Sequence, residues 1–132
     1  MIKLDGIDHV ALRVRDVAAS VAWYERVLGL VRIHESVWGD FPAMVGIGST
    51  ALALFPVPAG EVDPGQGTHV LTIRHIAFRA SAQAFLDAQR HLEKLGISFV
   101  QEDHQIAHSI YFRDPNGHEL EITTYEIAPR EG

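Results

Sequence analysis

Two of the eight histidines in this 132-residue chain stand where chemistry is possible. His9 lies in Asp8-His9-Val10-Ala11-Leu12-Arg13-Val14, and His75 holds the matching place in Arg74-His75-Ile76-Ala77-Phe78-Arg79-Ala80. Side chains alternate along a strand. His9, Ala11 and Arg13 therefore share one face and Val10, Leu12 and Val14 the other. His75, Ala77 and Arg79 likewise oppose Ile76, Phe78 and Ala80. Toward the C-terminus, Glu119, Glu121, Thr123 and Tyr125 oppose Leu120 and Ile122, while Ser109, Tyr111 and Arg113 oppose Ile110 and Phe112. The apolar sets belong beneath helices, so the histidines and glutamates fall on a polar face. His9, His75 and Glu121 then offer two imidazoles and one carboxylate, a donor set for a divalent first-row metal that leaves positions open for water or a chelating substrate. A lone histidine at a strand start is usually structural. Two at matching repeat positions, on the face that carries Glu121, favour ligation.

The elements that position these residues come as an internal repeat. Each histidine segment is followed by a helix-length stretch ending in Leu-Gly, Leu28-Gly29 or Leu95-Gly96. Two modules, about 4–56 and 72–126, each read as strand, helix and three strands, with Pro- and Gly-rich linker composition over about 57–71. The first helix has Asp16 as N-cap, the stripe Val17, Val21, Tyr24, Val27 and Leu28, and Gly29 as its stop. The second starts at Ser81, runs through Phe85, Ala88, Leu92 and Leu95, and stops at Gly96. Strands are expected at 7–14, 31–37, 43–47, 50–55, 73–80, 97–101, 108–113 and 118–125, with turns at Gly48-Ser49 and Asn116-Gly117. The fold class is α+β, with curved mixed sheets.

Composition narrows the function classes. The chain is 47% hydrophobic and 21% charged, which suits a packed core rather than a disordered chain. The absence of cysteine excludes a disulfide framework, a thiolate zinc site and a cysteine nucleophile. A formal charge of −6 without a basic patch disfavours nucleic acid and anionic membrane as partners. No apolar run reaches membrane-span length and no secretory segment is visible, so the expected location is cytoplasmic.

These residues resemble the vicinal oxygen chelate superfamily of glyoxalases, fosfomycin-resistance proteins and extradiol dioxygenases. The resemblance covers nearly the whole chain. It rests on the paired modules, Asp8-His9-Val10, Trp23-Tyr24, Arg74-His75-Ile76-Ala77-Phe78, and Tyr111-Phe112-Arg113-Asp114-Pro115-Asn116-Gly117-His118-Glu119-Leu120-Glu121. It implies metal ligation by His9, His75 and Glu121, and a homodimer in which modules pair into a barrel-like site shared between chains. Some members have a fourth ligand on the last strand of the first module, but Thr50-Ala51-Leu52-Ala53-Leu54 offers none, which argues against the glyoxalase and epimerase branches. Gln105-Ile106-Ala107-His108 lacks the potassium-loop character of fosfomycin-resistance enzymes, and Ala11 stands where they have Thr.

The extradiol motif fits better: His104, Ile110, Tyr111, Asp114, Pro115, Gly117 and Glu121 fall at its spacing. Glu102 departs from it, and no histidine stands near Gly48-Ser49 for the family's acid–base role. The leading expectation is a divalent-metal enzyme acting on a small oxygen-rich substrate, by extradiol-type ring cleavage. Iron(II) or manganese(II) is favoured, with zinc(II) or nickel(II) as alternatives. Tyr111 would donate to a substrate oxygen and His104 would bond the bound oxygen or the opened intermediate. A glyoxalase or lyase, a fosfomycin-type thiol transferase, and a metal-free bleomycin-type binding protein are the alternatives. Arg13 and Arg79 are candidate substrate-binding residues, as are Trp38 and Phe41 in the loop after the second strand. His91 and His118 read as surface residues, and His34, His69 and His108 lie in or near strands.

Overall fold

The computed structural model describes residues 1–58 and 72–126. The chain divides into two compact units, Met1–Gly65 and Gln66–Gly132. His69 and most of the expected linker lie outside the described residues.

The first unit runs β1 (His9–Val14), α1 (Val17–Leu28), β2 (Val31–Ile33), α2 (Glu35–Trp38), β3 (Ala43–Ile47) and β4 (Thr50–Pro56). Its four-stranded sheet has the order β1-β4-β3-β2, with β1 and β4 parallel and the other pairs antiparallel. The second unit runs β5 (Ile76–Arg79), α3 (Ala82–Lys94), β6 (Val100–Asp103), β7 (His108–Arg113) and β8 (Glu119–Thr124). Its sheet order, β5-β8-β7-β6 with β5 and β8 parallel, repeats the first. The expected α+β repeat is therefore present as two open mixed sheets.

Helix α1 forms where its end signals stand. Asp16 Oδ1 accepts from the Ala19 amide at 3.0 Å, and Gly29 takes the left-handed φ of 68° that ends the helix. Its apolar stripe packs on β3 and β4, and Val21, Tyr24 and Val27 are buried, as are Leu12, Val14, Val45, Leu52 and Leu54 of the sheet. Ser20 and Trp23 are buried with them, which widens the face beyond the expected stripe. Helix α3 is capped by Ser81 Oγ, 3.1 Å from the Ala84 amide, and buries only Phe85 and Leu92.

Several strand boundaries differ from expectation, two of them for a visible local reason. The strand expected over 31–37 stops at Ile33, because His34 adopts a left-handed φ of 58° and begins α2. Arg32 then clasps the following turn, donating to the Gly39 carbonyl at 2.8 Å and to Asp40 Oδ1 at 2.7 Å. His34 is thus a helix cap rather than a strand residue, and Trp38 ends a helix rather than lying in a loop. The strand expected over 97–101 forms instead at Val100–Asp103, since the Ile97 amide is used to close the end of α3 on the Leu92 carbonyl. Strands β1 and β5 also start later than expected, leaving His75 one residue before its strand.

Candidate functional site

Strand register fixes which residues share a face. In the second unit Ala77 pairs with Glu121, Glu121 with Tyr111, Thr123 with Ser109, and Ser109 with Glu102. The alternation inferred from sequence is the one observed, and the face opposite α3 is built from Glu, Ser, Thr and Tyr.

At its centre His75 Nε2 lies 2.9 Å from Glu121 Oε1. The other carboxylate oxygen, Oε2, accepts from the buried Ser109 hydroxyl at 2.7 Å. Glu121 is only 7% exposed, so this carboxylate depends on His75, Ser109 and the Tyr111 hydroxyl beside it. Beside them the Tyr111 ring stands edge-on to His75, centroids 5.7 Å apart, and its hydroxyl lies 2.8 Å from His104 Nε2. Burial raises the Tyr111 pKa above the ordinary phenol value, and the Glu121 charge adds to the effect. The phenol stays neutral across physiological pH and is a proton donor.

The ring of His75 bears on whether a cation suits this place. Its Nδ1 is buried without a hydrogen-bond partner, and the nearest carboxylate oxygen, Glu119 Oε2, is 3.6 Å away. A neutral imidazole carries one N–H. If Nε2–H donates to Glu121, Nδ1 is an acceptor with nothing to accept. If Nε2 instead gives its lone pair to a cation, the proton sits on Nδ1 and faces Glu119, the arrangement common to metal-bound histidines. The 2.9 Å separation also fits. Two atoms each about 2.1 Å from one ion and at right angles stand about 3.0 Å apart. The residues present suit a divalent ion.

His9 repeats the orientation. Its Nδ1 lies 2.8 Å from Asp8 Oδ2, which leaves Nε2 free on a half-exposed side chain. Asp8 and Glu119 were not assigned from sequence, although Asp8 adjoins His9 and Glu119 shares the alternation of Glu121. Among the described residues, no three His, Asp or Glu side chains gather into a metal-holding group. His75 and Glu121 are brought together within the second unit, and His9 belongs to the first.

The face of the first unit that carries His9 is largely apolar. Register places Ala51, Gly46 and Val31 on the level of His9, and Ala53, Met44 and Ile33 on that of Ala11. Ala53 holds the place that Glu121 holds in the repeat, and Met44 that of Tyr111. A groove of about 450 Å³ runs here, lined by Ile33, His34, Met44, Gly46 and Ala51 among others, within the range of small-molecule sites. Trp38 stands edge-on to His34 at 5.1 Å and Phe41 edge-on to Phe55 at 5.6 Å. Both expected aromatics thus adjoin this face. Arg13 is exposed on it. Arg79 instead stacks over the Tyr125 ring at 5.1 Å. Asp114, part of the motif around Tyr111, is a turn residue: its Oδ1 accepts from the Asn116 and His118 amides, each at 2.9 Å.

Residues 6–122 match the family described as the Glyoxalase/Bleomycin resistance protein/Dioxygenase superfamily. The chain is 33% identical to a metallothiol transferase FosB of Shouchella clausii, over 96% of this chain and 85% of that one. It is 28% identical to the glutathione transferase FosA of Serratia marcescens, over 96% and 86%. A glyoxalase/dioxygenase crystal structure from Nostoc punctiforme superposes with a TM-score of 0.76 at 25% identity, over 91% of this chain and 90% of that one. The chain belongs to the glyoxalase/bleomycin resistance protein/dioxygenase, or vicinal oxygen chelate, superfamily.

Proposed function

We propose that this protein is a divalent-metal-dependent enzyme acting on a small substrate with adjacent oxygen atoms. The observation that carries the reading is the convergence of His75 Nε2 and Glu121 Oε1 at 2.9 Å, beside the Tyr111–His104 pair at 2.8 Å. The ligand set is His75, Glu121 and a His9, in a homodimer of cytoplasmic location. No helix among the described residues is long and apolar enough to cross a membrane.

The bound ion supplies Lewis-acid polarisation of the substrate oxygens. The chain does the rest. Tyr111 gives its proton to the oxygen on which charge develops, and His104, in contact with the phenol, replaces it. Glu102 Oε2 stands 3.6 Å from His104 Nε2, on the same side of the ring as the phenol. The apolar groove of the first unit, with Trp38 and Phe41, holds the carbon skeleton, and Arg13 and Arg79 are candidates to meet anionic groups.

Two reaction classes use these parts, each favoured by a different observation. Thiol transfer is favoured by the identity to the metallothiol and glutathione transferases. In it a thiolate forms a C–S bond, an epoxide C–O bond breaks, and the oxygen takes the Tyr111 proton. Extradiol-type cleavage of a catechol is favoured by the contact between His104 and Tyr111, the two residues singled out by that motif. The protein is assayed with each of iron(II), manganese(II), zinc(II) and nickel(II). Fosfomycin loss with glutathione or cysteine assigns the first class, and oxygen uptake with a catechol panel the second. A wild-type protein that binds no divalent ion overturns the enzyme reading and leaves a metal-free binding protein.

A further inference from the structure

Ser109 is fully buried on the strand facing Glu121; its hydroxyl lies 2.7 Å from Glu121 Oε2 and 2.9 Å from Thr123 Oγ1, and the Tyr111 phenol is also within its reach. A serine hydroxyl has one proton to give. The shorter contact, to a carboxylate, is the charge-assisted one and takes that proton. Thr123 then either donates to Ser109 Oγ at 2.9 Å or to the His108 carbonyl at 3.4 Å, and the shorter distance favours Ser109. The three residues thus form a directed line, Thr123 to Ser109 to Glu121, in which each hydroxyl polarises the next.

We infer that Ser109, oriented by Thr123, is a positioning residue that holds Glu121 Oε2 away from the ion so that the carboxylate ligates through Oε1 alone. The inference rests on the metal reading above and extends it. A hydrogen bond from a buried donor takes one lone pair of Oε2 and fixes the plane of the carboxylate, and the oxygen left without that constraint is the one turned to His75 Nε2. Losing the donor frees Oε2, loosens the aim of Oε1 and allows both oxygens to reach one ion.

The test uses tag-free apoprotein and Co²⁺, whose visible absorption weakens as coordination number rises. Ser109→Ala is expected to bind Co²⁺ about 10- to 100-fold more weakly in chelator competition, with a weaker visible band per ion. Thr123→Val is expected to show a smaller, several-fold loss. Melting of the apoprotein is followed in parallel. A merely structural serine would lower the melting temperature and leave the affinity and spectrum of the folded fraction unchanged, which overturns the inference. If Ser109→Ala does not fold, Thr123→Val decides alone, and wild-type affinity in that variant overturns the line. A wild-type protein that takes up no Co²⁺ overturns the inference together with the metal reading. Normal uptake that neither variant alters overturns the inference only.

Discussion

The two units share one topology and differ in what their sheets present. Superimposing the registers of His9 and His75 sets Ala51 against Glu119, Ala53 against Glu121, Met44 against Tyr111 and Phe55 against Thr123. Each unit keeps an imidazole whose Nδ1 faces a carboxylate, but the carboxylates differ in origin. In the first it is Asp8, the preceding residue; in the second it is Glu119, across the sheet. The duplicated fold thus preserves how a histidine is aimed. The second unit adds the carboxylate, the phenol and their hydroxyl support, whereas the first offers a largely apolar wall with His9 and His34 at its margin.

Removing the second unit's phenol has the largest expected effect. Tyr111→Phe keeps the ring against His75 but loses the proton donor, so kcat should fall about 10²- to 10⁴-fold with KM changing less. The same variant alters the alkaline limit of the metal-free protein. The folded-state pKa of Tyr111 is raised above its unfolded value of 10.0. Its contribution is therefore complete below pH 10 and is lost as pH rises from there through the folded value. Tyr111→Phe should show a shallower loss of stability above pH 10 in urea titrations, and equal slopes would place the phenol in a solvated setting.

Transplanting the second unit's carboxylate into the first sharpens the contrast. Ala53 is 1% exposed and packs with Met44 and Ala51, against Ile33 and Phe55. Ala53→Glu buries a charge with no serine to bond it, and should destabilise the metal-free protein by about 2–5 kcal/mol in denaturant titration. A neutral result would mean that the two faces are more alike than their side chains indicate.

Much of this contrast was legible in the sequence. Period-two alternation separated His9, His75, Glu121, Tyr111 and Ser109 from the helix-covered residues, and the repeat gave both modules and both helix caps. What escaped were features set by local competition or by pairing across strands. Arg32-Ile33-His34-Glu35 after Val31 contains a left-handed His34 and an arginine clasp that no apolar pattern reveals. The contact of Glu119 with His75 and the support of Ser109 for Glu121 depend on the register between segments far apart in the chain. Asp114 belongs to the motif around Tyr111, and there its carboxylate holds the Asn116-Gly117 turn.

The smallest expected effect concerns the wall of the first unit. A Cβ on Gly46 would lie 3.2 Å from Ile33 Cδ1, the end of a side chain that can shift. Gly46→Ala should cost about 1 kcal/mol or less by denaturant titration, while raising KM for bulkier substrates more than kcat falls. A KM unchanged for every substrate would remove the groove from the binding site.

The proposed ligand set joins His75 and Glu121, which lie 2.9 Å apart, with a His9. Elemental analysis of tag-free wild type, Glu121→Ala and His9→Ala tests it most directly. The expected result is about one divalent ion per chain in wild type, none retained by Glu121→Ala, and weaker but measurable binding by His9→Ala, which keeps His75 and Glu121. Full occupancy in Glu121→Ala, or no metal in wild type after anaerobic reconstitution, would contradict it.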